Sequence, residues 1–354
     1  MIKLTDHLAN YNVKTPWRRL KLAADIYWNS LNPEKLGVYD ETALISVVMS
    51  FRDKSKLLDP AYVKGYAGND DKVALLHSKF FDYFLANNCK ILRAIIVSGP
   101  KNLDNIKNDI DAKFSSDIFF TKTTNGEKQT NFGKLLSETI FNYKAYRGSK
   151  FCIDLLDAII QPDTFCPYCG YYPIEVVKVD PAAPKVTKKA LLDLDHFFSK
   201  ANYPYFATSV FNLIPCCPIC NSRYKLTKKF SLSTHINPYC DSFDRYFSFE
   251  LGIDAHGKKI VTLNEKTVAG KSKASSDFGL AGRYERSKSL LKLEGKYRGL
   301  KRHGLTDLKY AIGALLEDVP LTSKRIMCES HGKAKRDILK HLDSGEKLLA
   351  SRLV

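Results

Sequence analysis

The residues best suited to chemistry lie between positions 166 and 225. Two C-x-x-C pairs, Cys166-Pro-Tyr-Cys169 and Cys217-Pro-Ile-Cys220, bracket Asp195-His196 and Asn212, and Asn221 follows the second pair directly. Four thiolates in two such knuckles match a structural zinc site: soft sulfur ligands complete a tetrahedral ion and leave no open position, so the ion holds the chain together rather than reacting. Cys216 is out of phase with the pair and reads as a small buried residue. Cys-Pro-Tyr-Cys is also a redox motif, but that use needs a helix directly after it, and Gly170-Tyr-Tyr-Pro173 argues against one.

Asp195, His196 and Asn221 carry a second kind of chemistry. A histidine neutral near its working pH suits a general base that activates water. A carboxylate and an amide oxygen are hard ligands that suit Mg²⁺ or Mn²⁺, with positions left over for water and a phosphate. Asp195 at a strand end and Asn221 at a helix start are expected to converge on one such ion, with Asn212 bracing the loop that orients His196. In isolation an Asp-His dipeptide reads as a coincidence of a half-buried strand; its place between two knuckles changes that reading.

The stretch resembles the HNH endonuclease family, in the variant with four zinc-binding cysteines. The three letters fall on His196, Asn212 and Asn221, the last replacing the usual final histidine. The resemblance implies a ββα-metal fold and metal-dependent cleavage of DNA, with Asp195 and Asn221 as ligands of a catalytic divalent ion and His196 as base. The run His196-Phe-Phe-Ser-Lys200-Ala-Asn-Tyr203-Pro204, then Asn212-Leu-Ile-Pro-Cys-Cys217 and later Asn237-Pro238-Tyr239, is similar to the HNH subunits of two-component anti-phage systems such as Septu, whose partner is an ATPase. The similarity covers about residues 150 to 265. Ser199 stands where a proline is common, and Lys225 lies one position later than the usual Asn-x-x-Lys.

The surroundings must present this site to a substrate. A formal charge of +17 favours a polyanionic partner, since each Lys or Arg that neutralises a phosphate releases a counterion. Lys200, Arg223, Lys225, Lys228 and Lys229 cluster around the site as candidate phosphate contacts, against a plain reading as a solvated basic face. The tail adds Arg283, Arg286, Lys288, Lys292, Lys296, Arg298, Lys301 and Arg302, which suit a duplex backbone or an acidic partner equally. Tyr203 and Tyr205 read as packed loop aromatics and His235 as structural. Gly270-Lys271-Ser272 lacks the upstream glycine of a phosphate loop, because Glu265 holds that place. Nine cysteines, an odd count, fit a reducing cytoplasm, and no apolar run of membrane-spanning length is present.

An α+β chain is therefore expected: a helical N-terminal region over 1–150 that could dock a partner, the zinc-stapled module over 151–265, and a basic helical region over 266–354. Helices are expected from a Thr15 cap and Pro16 to Asn32, from an Asp40 cap to about Phe51, from Asp70-Asp71 to Asn87-Asn88, over Phe132 to Tyr143 and over Phe151 to Ile160. Ile91 to Ser98 fits strand or helix. Hairpins are expected at Asn125-Gly126 and at Asp254-Ala-His-Gly257, strands over Ile174–Val179 and Leu191–His196, a basic loop at Pro181–Lys189 and a short helix over Asn221–Lys229. A linker over Gly270–Ser276 and tail helices over Tyr284–Tyr297, Leu305–Leu316 and Ser323–Leu349 complete the pattern. The same residues also fit a non-catalytic zinc module that binds nucleic acid or protein, and the test that separates the two is His196→Ala.

Overall fold

The computed structural model describes residues 2–124, 126–179, 187–266, 270–271, 273–300 and 305–353. It is a mixture of helices and small antiparallel two-stranded sheets. The N-terminal part holds α1 (Leu4–Asn10), α2 (Pro16–Leu31), a short hairpin β1 (Glu34–Lys35) and β2 (Val38–Tyr39), α3 (Leu44–Lys56), α4 (Pro60–Tyr66), α5 (Asp71–Val97) and α6 (Pro100–Lys113). The hairpin β3 (Phe120–Thr123) and β4 (Gly126–Gln129) leads to α7 (Asn131–Lys134), which runs on helically to Ile140, and then to α8 (Tyr143–Gly148) and α9 (Lys150–Ile159). The middle holds β5 (Glu175–Lys178), β6 (Lys188–Leu191), β7 (Asp193–His196), β8 (Leu213–Cys216) and a helical turn at Cys220–Lys225. Beyond these come β9 (Phe247–Ile253), β10 (Lys259–Glu265) and the tail helices α10 (Lys273–Ser276), α11 (Leu280–Glu285), α12 (Lys288–Leu291), α13 (Leu293–Leu300), α14 (Leu305–Leu316) and α15 (Gly332–Leu342).

Several expected boundaries are corrected. Thr15 takes a left-handed conformation and makes no side-chain cap, although Pro16 does open α2. Asp40 spends its carboxylate on the N–H and hydroxyl of Thr42, so α3 begins later, at Leu44. Asp70 does cap α5, accepting from Lys72 and Val73. Asn87, Asn88 and Cys89 have positive φ, so α5 breaks there and resumes as helix over the Ile91 run. The Leu191–His196 strand divides at Leu192, with β6 pairing with β5 and β7 with β8. The expected Gly270–Ser276 linker is partly helical, the Tyr284–Tyr297 helix divides among α11, α12 and α13, α14 has the expected bounds, and α15 is shorter than the expected Ser323–Leu349. Asn125, the basic loop over 181–186 and Lys301 with Arg302 fall outside the described residues.

The three expected regions share one hydrophobic core that runs from Ile2 to Leu353. Phe80 and Phe84 of α5 pack on one another at 4.4 Å and reach Phe119, Phe132 and Tyr205. Tyr205 belongs to the loop between β7 and β8, so the N-terminal helices form the floor beneath the central module. Trp17 of α2 packs on Phe211 at 4.8 Å, and Leu4 N–H donates to Pro238 C=O, closing the other side.

Close approach fixes one glycine here. A Cβ at Gly133 would stand 2.3 Å from the Phe119 carbonyl oxygen, where the chain turns under the aromatic cluster. Gly133→Ala is expected to destabilise the chain by about 1–3 kcal/mol, read as a lower urea midpoint; an unchanged midpoint would show that the turn has room.

Candidate functional site

The site is a β-hairpin followed by one helical turn. Strand β7 pairs antiparallel with β8 in the register Asp193↔Cys216, Leu194↔Pro215, Asp195↔Ile214 and His196↔Leu213, and Phe197 N–H extends it to Asn212 C=O. Leu194 and Ile214 lie on opposite faces of the hairpin and both are buried, as is Asp195, so the hairpin is covered on both sides. Cys217–Cys220 then turns the chain into the helical turn that returns toward β7.

At the base of the hairpin the Sγ atoms of Cys166, Cys169, Cys217 and Cys220 lie within 4.8 Å of one another, all buried. Four sulfurs about 2.3 Å from a tetrahedral ion would stand roughly 3.8 Å apart, and Cys169 and Cys217 stand 3.9 Å apart. The cluster is thus compatible with a structural zinc ion. Burial pushes the Cys166 thiol well up, while hydrogen bonds from the other thiols, and Arg283 beside them, pull Cys169 down against its own burial. Four thiols in a dry pocket cannot all ionise on their own, and a divalent cation removes that conflict. The second layer is in place: Cys217 N–H points at Cys166 Sγ, Cys220 N–H at Cys217 Sγ, and Arg283 Nη1 at Cys220 Sγ, the last two at 3.4 and 3.5 Å. Tyr284 OH donates to Cys169 C=O at 2.5 Å, and His331 N–H to Gly170 C=O at 2.7 Å. Arg283, expected on a basic outer face, therefore turns inward to the thiolates. Cys216 is buried outside the cluster.

His196 sits at the end of β7, where its Nε2 meets Ala207 C=O at 3.0 Å. A carbonyl only accepts, so Nε2 carries the proton and Nδ1 keeps the lone pair. Burial, with the Lys225 and Lys200 charges adding to it against the Ala207 bond, pushes its pKa down to about 3. The ring is neutral at ordinary pH. Asn212 is wholly buried and braces the loop as expected: Oδ1 accepts from Phe198 N–H at 2.7 Å, and Nδ2 donates to Phe198 C=O at 3.0 Å and Phe206 C=O at 3.3 Å.

Asp195 and Asn221 are not brought together, and this corrects the expected ion site. Asp195 is 2% exposed. Its Oδ2 accepts from Tyr168 OH at 2.7 Å and its Oδ1 from Lys225 Nζ, which also reaches His196 C=O. Asn221 donates instead to Asp193 Oδ2 at 3.0 Å, joined there by Ser222 Oγ at 3.1 Å. The physical reason is the buried ammonium: a carboxylate in the interior needs a counter-charge, and Lys225 supplies it. The expected phosphate-contacting role of Lys225 is corrected with it, since the residue is only 3% exposed.

The other basic candidates divide. Arg223 is exposed, and the half-buried Lys200 lies 5.2 Å from the Tyr143 ring. Lys228 pairs with Asp277 at 3.1 Å and Lys229 with Glu127 at 2.5 Å, both exposed. His235 is structural, held by Asp277 and stacked on Phe230. Sequence reasoning missed Asp193, Tyr143, Arg147 and Tyr168. The alternation of β7 places Asp193 on the Asp195 face; nothing local in the sequence places the other three.

No family model, curated protein or solved structure matches the chain. No described helix is long and apolar enough to cross a membrane.

Two outcomes follow from this geometry. The purified chain should hold about one zinc per molecule, and Cys169→Ser should lose the metal and fall in thermal midpoint; full zinc content in that variant would show that the four thiols are not the ligands. Besides His196, burial pushes His77 down to about 3 and His7 and His331 to about 4. The unfolded chain then takes up protons near its ordinary histidine pKa of about 6.5 that the folded chain refuses until far lower pH. Stability should therefore fall as pH drops below about 6.5 toward 3. Urea midpoints at pH 7.5 and 5, at verified equal zinc content, would measure it, and equal midpoints would contradict the buried neutral histidines.

Proposed function

We propose that the chain is a metal-dependent HNH-type endonuclease that hydrolyses phosphodiester bonds in DNA, with His196 as the general base. The observation that carries the reading is the hairpin with its single-tautomer histidine. Nε2–H is committed to Ala207 C=O, and the Nδ1 lone pair is the ring's remaining basic position. In that role Nδ1 takes a proton from water as the water oxygen bonds to phosphorus, the bond to the leaving sugar oxygen breaks and that oxygen takes up a proton from solvent, and the rigid loop held by Asn212 keeps the ring oriented. The four-cysteine cluster ties the end of β8 to the Cys166–Cys169 knuckle and takes no part in the chemistry. Arg223 and Lys200 are the candidates to meet the substrate's phosphates.

The catalytic Mg²⁺ or Mn²⁺ implied by the resemblance finds no prepared ligand pair in this arrangement, because both Asp195 oxygens are engaged and Asn221 faces Asp193. DNA as the substrate, anti-phage defence and an ATPase partner rest on the resemblance alone. The filled Asp195 site favours one second reading, a zinc module that binds nucleic acid without cutting it.

Plasmid and duplex cleavage with Mg²⁺ or Mn²⁺, with EDTA and with His196→Ala, separates the two. The nuclease reading expects cleavage that EDTA stops and that His196→Ala lowers by about 100-fold or more, with DNA binding and zinc content near wild type. Because the His196 pKa is about 3, loss of activity on acidification should not set in near pH 6.5. Binding without cleavage, alone and with an added ATPase partner, would leave the module reading; cleavage undiminished in His196→Ala would end the mechanism.

A further inference from the structure

Among the described residues, strand β7 has a partner strand on one side only. Its odd-numbered residues face β8, as the Phe197 N–H to Asn212 C=O bond shows, and Pro215 stands opposite Leu194 where the ladder asks for no N–H. The carbonyls of Leu192, Leu194 and His196 therefore point away from β8, along an edge where a third strand would otherwise lie. Such an edge must find donors or remain wet.

Side chains supply those donors one by one. Arg147 Nη2 donates to Leu192 C=O at 3.0 Å, Tyr143 OH to Leu194 C=O at 3.4 Å, and Lys225 Nζ to His196 C=O. Tyr143 and Arg147 are four residues apart on α8, which puts them on one face, one turn apart, matching alternate carbonyls of an extended strand. Asn142 Oδ1 caps that helix through Ala145 N–H at 3.0 Å. Tyr143 does more than close the edge. Its ring lies 4.5 Å from the His196 imidazole at 63°, an edge-to-face contact, and Lys200 Nζ lies 5.2 Å from the same ring.

We propose that α8 is a clamp on the catalytic strand, with Tyr143 and Arg147 as positioning residues for His196. The inference rests on the reading of His196 as the base, and it deepens it. Tyr143 fixes the plane of the imidazole from one side while Ala207 C=O fixes its tautomer from the other, so the Nδ1 lone pair points in one direction. Arg147 sets the strand one step upstream and keeps α8 in register with it. The N-terminal part of the chain thereby completes the site.

The test uses the full zinc-loaded chain and four variants, Tyr143→Ala, Tyr143→Phe, Arg147→Ala and His196→Ala. Histidine ring resonances are recorded by long-range ¹H–¹⁵N correlation, with the His196 signals assigned by their loss in His196→Ala. Turnover on a duplex oligonucleotide is measured alongside. Wild type is expected to show His196 as the Nε2–H tautomer, with ring protons displaced by the Tyr143 ring current. Tyr143→Ala should abolish that displacement, mix the tautomers and lower kcat by about 10- to 100-fold, with KM within about twofold and zinc content unchanged. Tyr143→Phe keeps the ring and should keep the displacement and most of the turnover; Arg147→Ala should fall between. His196 resonances and kcat unchanged in Tyr143→Ala would overturn the clamp. Equal loss in Tyr143→Ala and Tyr143→Phe, with zinc lost as well, would overturn it too, since that is a folding defect. If wild type cuts no substrate, the nuclease reading fails, and the His196 resonances alone then decide whether Tyr143 positions the ring.

Discussion

A two-stranded hairpin is marginal by itself in water, and in this chain β7 and β8 carry the residues whose placement matters most. Both outer edges and the turn need support from elsewhere. Tyr239 OH donates to Leu213 C=O at 3.2 Å on the β8 side, and Arg147, Tyr143 and Lys225 serve the β7 side. The cysteine cluster ties the base, and the aromatic floor of Phe80, Phe84 and Tyr205 supports the loop. Much of the surrounding helix can be understood as the means of holding one short hairpin still.

Charge is handled by two different devices a few residues apart. The four thiols are drawn together in the dry interior, with backbone N–H groups and Arg283 aimed at the sulfurs, an arrangement suited to a divalent ion. Asp195 is equally buried, but its counter-charge is Lys225, with Tyr168 OH completing its hydrogen bonds. A buried pair of this kind contributes little net stability, yet removing one partner strands the other at a cost of about 3–5 kcal/mol. That asymmetry explains why Lys225 is sequestered although its neighbours Arg223, Lys228 and Lys229 remain exposed.

The sequence made the strand ending in Asp195-His196, the cysteine set, the role of Asn212 and the α+β character legible, because each depends on local spacing or on residue types with few uses. Asp70 was readable as a cap for the same reason. The pairing of Asp195 with Lys225 was not readable, since it depends on where a helical turn brings a side chain thirty residues away. The contribution of α8 escaped for a related reason: Tyr143 and Arg147 look like ordinary amphipathic positions until β7 is seen to lack a neighbour. The division at Leu192 was hidden because the adjacent pair Leu191-Leu192 interrupts the alternation without revealing a change of pairing partner.

The central claim is that this hairpin presents a phosphodiester to His196. A crystal structure of the His196→Ala chain bound to a short DNA duplex tests it most directly. The account predicts a phosphodiester beside the emptied imidazole position, on the Nδ1 side and within reach of one bridging water, with the four cysteines enclosing zinc. A duplex bound far from the end of β7 would contradict it.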